Sequence, residues 1–223
     1  MSFLLVVVLL FFSSSCSVSS HQYYVSDDCS SVTQSPCNPL SMYAGDMSQY
    51  NNTIFCFIGT TNISSYVFNM TAVMNITLHG LDQSPSIHCN KESIIVYDSS
   101  LISISSLTIH CSIDISSSRN ITITNSSFIL MAAYSNITFI NAFDVKVLSS
   151  VFIAYVINIE YNPLTVCSNE LPHYSLILTN VTLNNSSTME LLVDHGTSYN
   201  ISITFDYVDF SNYTLSPSLF LSD

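Results

Sequence analysis

Apolar and polar residues follow one pattern, written three times, between residues 94 and 152. Each copy has two apolar-x-apolar segments and one further apolar residue, separated mainly by Ser, Asn and Asp. The copies begin at positions 94, 113 and 137, so they start 19 and then 24 residues apart. Their apolar residues are, in order, Ile94, Val96, Ile102, Ile104 and Ile109; Ile113, Ile115, Ile121, Ile123 and Phe128; and Ile137, Phe139, Val145, Val147 and Phe152.

This pattern predicts short parallel strands stacked as a solenoid. Alternation with period two is typical of a half-buried strand, and Ile, Val and Thr favour a pleated surface. The polar gaps are too short for hairpins throughout, and they contain no Asn-Gly turn signal. A repeat near twenty residues with several strands in each copy indicates stacked coils. Equivalent residues of successive copies would lie about 4.8 Å apart, with the apolar side chains in continuous columns.

The flanking segments predict a cap, an insertion and a tail. Residues 21–51 have no clear period and contain Cys29 and Cys37, which predicts an N-terminal cap with a local disulfide over the first strand edge. The solenoid is predicted over 52–215, about six coils, with its first strand at 52–59. A surface insertion is expected at 160–174, where binding loops commonly project, and a C-terminal tail at 216–223.

Residues 1–20 predict a secretory signal. An apolar run from Phe3 to Phe12 is followed by Ser-rich sequence, and cleavage is expected near Ser19 or Ser20. A lipid-modified Cys16 is the alternative. No other run of about 18 apolar residues is long enough to span a bilayer. The mature chain is therefore predicted to be secreted or on the extracellular surface, without a transmembrane span.

Asn-x-Ser/Thr sequons also favour export. Glycans attached there would keep a weakly charged, strand-rich surface soluble. The candidate acceptors are Asn51, Asn62, Asn69, Asn75, Asn120, Asn125, Asn136, Asn180, Asn184, Asn185, Asn200 and Asn212.

The cysteines predict disulfides. Ser86-Ile87-His88-Cys89 recurs one repeat later as Thr108-Ile109-His110-Cys111, which would stack Cys89 on Cys111 within bonding distance. In a secreted protein such a pair is expected to oxidise, with two buried free thiols as the alternative. Cys56 and Cys167 remain as a possible third pair, although six cysteines allow 15 connectivities.

Charge narrows the set of partners. The chain of 223 residues has a net charge of −12 and only 8% charged residues. Its three basic side chains, Lys91, Arg119 and Lys146, cannot build the basic face that a nucleic acid or an anionic membrane requires.

At these residues the chain resembles right-handed parallel β-helix proteins of the pectate-lyase-like architecture. More narrowly, it is similar to secreted cell-surface β-helix proteins of marine invertebrates. That likeness rests on Tyr24-Val25-Ser26, on Cys29 and Cys37, on Leu40-Ser41 and on Phe55-Cys56-Phe57-Ile58-Gly59. The resemblance covers about residues 22–210. It implies an all-β chain forming a single right-handed parallel β-helix, and it specifies a fold and not an activity.

The resemblance also raises an enzymatic alternative, because members of this architecture cleave acidic polysaccharides. Arg119 is the only arginine that could abstract a proton as the lyases do, and the sequence places no paired carboxylates beside it. The double carboxylate Asp27-Asp28 belongs to the cap, while Asp206 and Asp209 would face opposite ways. The negative charge would repel a polyanionic substrate. No catalytic residue is predicted.

No metal or cofactor site is predicted either. Of six histidines only His88 and His110 are expected to meet, and a stacked, hydrogen-bonded pair is favoured over a metal site because the adjacent cysteines are assigned to a disulfide. The sequence therefore predicts a secreted glycoprotein with a structural, adhesive or glycan-recognition role. Its partners would be extracellular glycans or other cell-surface proteins. The alternatives are a polysaccharide lyase or hydrolase, or a fragment of a larger cell-surface protein.

Overall fold

The computed structural model of the chain describes residues 20–63, 66–129, 136–153, 156–161, 173–184, 188–194, 200–209 and 219–222. Twenty strands and three short 3-10 helices form its elements, and no α-helix occurs in these ranges. The strands are β1 (His21–Val25), β2 (Cys37–Asn38), β3 (Thr53–Phe57), β4 (Thr60–Asn62), β5 (Phe68–Thr71), β6 (Met74–Gly80), β7 (Ser86–Tyr97), β8 (Ser100–Ser105), β9 (Thr108–Ser116), β10 (Arg119–Thr124), β11 (Ser127–Ile129), β12 (Asn136–Ile140), β13 (Phe143–Leu148), β14 (Val151–Ile153), β15 (Val156–Tyr161), β16 (His173–Thr179), β17 (Thr182–Asn184), β18 (Thr188–Asp194), β19 (Asn200–Asp206) and β20 (Leu219–Ser222). The 3-10 helices span Cys29–Ser31, Leu40–Met42 and Met47–Tyr50.

Among the described residues, all the strand pairs are parallel, and they form two sheets. One sheet has nine strands in the order β19-β16-β13-β10-β8-β6-β3-β1-β2, and we call it row A. The other has eleven strands and divides into two rows, because the long strands β7 and β9 each take part in both. Row B contains β4, β11, β14, β17 and the first halves of β7 and β9. Row C contains β5, β12, β15, β18, β20 and the second halves. The chain is thus an all-β, parallel repeat protein.

The predicted register of the three central copies is confirmed at every position. Ile121 pairs with Ile102 on one side and with Val145 on the other, and all three side chains are buried. The same holds for the column that joins Ile109, Phe128 and Phe152, where the two phenylalanine rings stack with centroids 4.7 Å apart. Burial of these side chains away from water is the main favourable term for folding. The apolar columns therefore build a core that runs through the stacked strands.

Corners between the rows depend on residues in the left-handed conformation. Among the described residues, fourteen non-glycine residues have positive φ; all fall into three columns, and eight of them are Asn or Asp, which tolerate this conformation best. One column separates row C from row A (Ala72, Asp98, Ser117 and Asn141), one lies at the start of row A (Asn52, Asn75, Leu101, Asn120 and Asp144), and one separates row A from row B (Ser106, Asn125, Ser149, Asn180 and Tyr207).

Buried serines hold the corners together. The N–H of Val73 donates to Ser99 Oγ (3.1 Å), and the N–H of Ser99 donates to Ser118 Oγ (3.0 Å), so each hydroxyl binds the backbone of the preceding coil. Ser118 Oγ in turn donates to the Ser116 carbonyl (2.8 Å). Ser126 and Ser150 repeat the arrangement at the next corner. These hydroxyls satisfy backbone groups that would be costly to bury unpaired.

The N-terminal end is packed by aromatic rings. Tyr23, Tyr43, Tyr50 and Phe55 form a cluster in which ring centroids lie 5.3–6.0 Å apart. Asn38 Nδ2 donates to the Tyr43 hydroxyl (2.9 Å), and Cys29 is bonded to Cys37 in the adjoining loop. The predicted disulfide is therefore present where the cap was expected.

Several predicted boundaries need correction. The first strand is β1 and not the segment at 52–59, because β1 pairs in register with all of β3. The ends of the predicted insertion at 160–174 belong to strands, since β15 continues to Tyr161 and β16 begins at His173. Residues 162–172 lie outside the described ranges. Within the predicted tail at 216–223, β20 pairs with β18. These pairings span long sequence separations, which local alternation does not reveal.

Candidate functional surface

The outer side of row A carries a regular array of hydroxyl and amide groups. Thr77, Ser103 and Thr122 occupy equivalent positions on β6, β8 and β10, and their side chains alternate with the buried isoleucines and leucines. Two residues earlier on the same strands lie Asn75, Leu101 and Asn120, all with positive φ. Together with Ile102, these six residues line a shallow groove of about 390 Å³, which we call the row A groove.

Leu101 is the exception in the groove. Asn52, Asn75, Asn120 and Asp144 hold the same left-handed position in neighbouring coils, and leucine has no side-chain polar group to favour it. The conformation costs an L-residue about 1–2 kcal/mol. The side chain of Leu101 is also 49% exposed, and that of nearby Met74 is 47% exposed. The groove therefore combines polar walls with an apolar centre.

Hydrogen bonds between coils order one end of this column. Asn75 Nδ2 donates to Asn52 Oδ1 (3.0 Å), and the N–H of Met74 donates to Asn51 Oδ1 (2.6 Å). Further along, Ser175 Oγ donates to Asp144 Oδ1 (2.9 Å). The polar residues of the column thus bind their neighbours in adjacent coils and keep them in register.

The stacked histidines lie on row B, as the repeat of their motif predicted. The His88 and His110 rings have centroids 4.2 Å apart at an interplanar angle of 31°. His88 Nε2 lies 3.1 Å from Ser86 Oγ, which is 3.2 Å from Thr60 Oγ1. Burial and, to a smaller extent, His88 lower the pKa of His110, against a hydrogen bond with the Ile129 backbone. Burial and His88 therefore favour the neutral form of His110.

Metal binding by this pair is not supported by its geometry. Ring-nitrogen lone pairs lie in the ring planes, so two stacked rings do not direct them to one point between the rings. The neighbouring Cys89 and Cys111 are bonded to each other, as predicted, and supply no thiolate. Within the described ranges, no group of three or more His, Cys, Asp or Glu side chains could hold a metal ion.

The bonding state of Cys56 differs from the predicted disulfide. It is a fully buried free thiol whose sulfur accepts a hydrogen bond from Gln22 Nε2 (3.0 Å), so the suggested Cys56–Cys167 pair is not formed. Burial raises the pKa of this thiol, with the Gln22 contact acting in the opposite direction. Cys56 lies on β3, between Tyr24 of β1 and His79 of β6, near the N-terminal end of row A, and Cys167 lies outside the described residues.

The basic residues are dispersed. Arg119 and Lys146 are both exposed, on β10 and β13, while the side chain of Lys91 lies outside the described set. Arg119 lines a pocket of about 250 Å³ with Asp98, Ser99, Ser100, Ser117 and Phe143. The pocket thus also contains one carboxylate from the preceding coil, that of Asp98, which sequence reasoning did not find.

The acidic candidates of the cap have structural partners. Asp28 accepts hydrogen bonds from Ser30, which are the main cause of the lowered pKa of its carboxyl. Asp27 Oδ2 accepts from the N–H (2.8 Å) and the side-chain amide (3.0 Å) of Asn62. Asp206 and Asp209 are exposed on the last coil.

The described sequon asparagines all reach the surface. Asn62, Asn69, Asn120, Asn125 and Asn180 are exposed, and Asn51, Asn75, Asn136 and Asn184 are half-buried. For Asn200 only the strand is described, and Asn185 and Asn212 lie outside the described residues, as do Cys16 and the rest of the predicted signal.

Two disulfides indicate an oxidising, extracellular-type environment. In the part of the chain that the structure describes, no helix has the length and apolar character needed to cross a membrane. No protein-family model matches the sequence, and a search of curated proteins finds none that matches it.

Proposed function

We propose that the chain is an exported, N-glycosylated protein that forms a single right-handed parallel β-helix and acts by presenting a long surface. Its role would be structural, adhesive or glycan-recognising, without catalysis. The observation that carries the proposal is the outer side of row A, where hydroxyl and amide groups recur in register over successive coils.

The strand path supports the β-helix part of the proposal. From β8 the chain enters β9, which contributes first to row B and then to row C, and returns to row A at β10. The next coil repeats the sequence through β11, β12 and β13. Parallel crossovers are right-handed in nearly all proteins, which favours that hand here.

Chemistry favours a neutral glycan or a protein surface as the partner. Hydroxyl groups on the outer side of row A, such as those of Thr124, Thr179 and Thr204, donate to and accept from sugar hydroxyls equally well. With a net charge of −12, the chain would repel polyanions. The partners we propose are extracellular glycans or other cell-surface proteins.

The test is expression of the whole chain in a eukaryotic secretory host, followed by a polysaccharide and glycan-array screen. Binding and release of reducing or unsaturated ends are recorded together, with and without calcium. Export, glycosylation and binding without product release are expected. Retention of a folded chain in the cytosol would contradict the proposal.

A carbohydrate-active enzyme is the second candidate, because the pocket at Arg119 contains Asp98. Product release in the same screen, abolished by both Arg119→Ala and Asp98→Asn, would establish it in place of the binding role. Failure of residues 21–223 to fold alone would instead favour a fragment of a larger cell-surface protein.

A further inference from the structure

We propose that Asn75 and Asn120 both carry N-linked glycans, and that the first sugars of these glycans pack on Leu101 and fill the row A groove. The inference rests on the proposed export. It assigns the row A groove to the protein's own glycans, so the surface left for an external partner is the rest of the outer side of row A.

The first argument is the position of the two sequons. Asn75 and Asn120 occupy the same column with Leu101 between them, and stacked strands lie about 4.8 Å apart, so the asparagines are about 10 Å from each other. Thr77 and Thr122, the hydroxyl residues of the two sequons, line the same groove. Coil stacking thus brings together two sites that are far apart in sequence.

The second argument is Leu101 itself. Its side chain is 49% exposed at a left-handed position that Asn or Asp occupies in the neighbouring coils. Strained residues of this kind persist where the surroundings hold them, and they mark functional contacts. An apolar side chain between two sugar attachment points provides a surface for the C–H face of a pyranose ring.

The third argument is chemical compatibility with the folded state. During export, the Nδ2 of each asparagine attacks C1 of an oligosaccharide linked to a polyprenyl pyrophosphate. An N–C1 bond forms, the C1–O bond to phosphate breaks, the amide nitrogen loses one proton, and the polyprenyl pyrophosphate leaves. One N–H remains on Nδ2, so Asn75 can still donate to Asn52 Oδ1. Asn120 is exposed.

Occupancy is tested by peptide mapping of the exported full chain after amidase treatment, which converts each glycosylated asparagine to aspartate. We expect conversion at both Asn75 and Asn120. An unmodified Asn75 or Asn120 in a chain that carries glycans at Asn62 or Asn69 overturns this inference and leaves the proposed function intact. A chain that is not exported, by contrast, contradicts the proposed function.

Packing is tested by combining Leu101→Ser with loss of the two sequons. Serine holds left-handed positions elsewhere in the chain, at Ser106, Ser117 and Ser149. Leu101→Ser is expected to lower the Tm of the glycosylated protein by about 2–4 °C. In a Thr77→Val/Thr122→Val background, where both sequons are lost, it should leave the Tm unchanged or raise it, because the strain at Leu101 is relieved.

Thr77→Ser/Thr122→Ser, which keeps both sequons, is the matched control and should behave as the parent chain. An endoglycosidase that leaves the first sugar should preserve the effect of Leu101→Ser, whereas the amidase should abolish it. An equal change in Tm with and without glycans overturns the packing on Leu101.

Discussion

The central coils and the N-terminal end both bury apolar side chains, but the arrangement of those side chains differs. Between residues 94 and 152, each buried side chain stacks on its counterpart in the next coil, so one aliphatic pattern is sufficient for all copies. At the N-terminal end, Tyr23, Tyr43, Tyr50 and Phe55 meet from three separate segments and have no repeat. The difference shows that a repeat can specify its interior by period, whereas an end needs its own side chains.

The largest effect is expected from a substitution that disrupts the buried apolar columns of the central coils. Ile121→Asp would place an unpaired carboxylate between Ile102 and Val145, at a fully buried position, and should abolish folding and export. The measurement is the amount of chain secreted, compared with the amount in cell lysate. Ser103→Asp, on the outer side of the neighbouring strand, is the control and should be secreted normally. Normal secretion of Ile121→Asp would contradict the register.

The next largest effect is expected from substitutions in the aromatic cluster at the N-terminal end. Tyr43→Ala removes a ring that contacts Tyr23, Tyr50 and Phe55, and should lower the free energy of unfolding by about 3–5 kcal/mol. Tyr43→Phe keeps the ring and loses only the bond from Asn38, so about 1 kcal/mol is expected. Urea unfolding followed by circular dichroism measures both. Equal losses for the two variants would show that the hydrogen bond, and not the ring packing, stabilises this end.

A smaller effect addresses the corners of the central coils. Ser118→Ala leaves the N–H of Ser99 without the hydroxyl that accepts from it, and should cost about 1–3 kcal/mol in the free energy of unfolding. Ser103→Ala, in the same coil but on the outer side, is the matched control and should change stability little. If both variants unfold at the same urea concentration as the parent chain, the serine corners do not contribute to stability.

The smallest effect concerns the histidine pair on the outer side of the central coils. Because the pKa of His110 is lowered in the folded protein, the unfolded chain binds protons more readily near and below the usual histidine pKa of about 6.5. The free energy of unfolding should therefore stay constant at pH values above about 6.5 and decrease as the pH is lowered below this value. Urea midpoints measured across this range check the prediction. His110→Phe retains an aromatic ring beside His88 and should flatten the dependence, whereas an unchanged profile would exclude His110 as its cause.

The sequence was sufficient to predict the interior of the central coils and one part of the candidate surface, the histidine pair on row B. The match between residues 86–89 and 108–111 predicted both the stacked histidines and the Cys89–Cys111 disulfide. It did not find the row A groove, because nothing in the sequence marks Leu101 as the counterpart of Asn75 and Asn120 in the coil between them. Nor did it find that Cys56 is buried beside Gln22 as a free thiol, since elimination among cysteines says nothing about where each side chain lies.

The sequence by itself determined which residues face the core and how the central copies align, because alternation and repeat length act over short stretches of chain. Only the tertiary structure decided which polar residues are buried, as at Ser99 and Ser118, and which adopt the left-handed conformation, as at Leu101. Both outcomes depend on hydrogen bonds and contacts from adjacent coils. Those neighbours lie some twenty residues away in sequence and come together only when the coils stack.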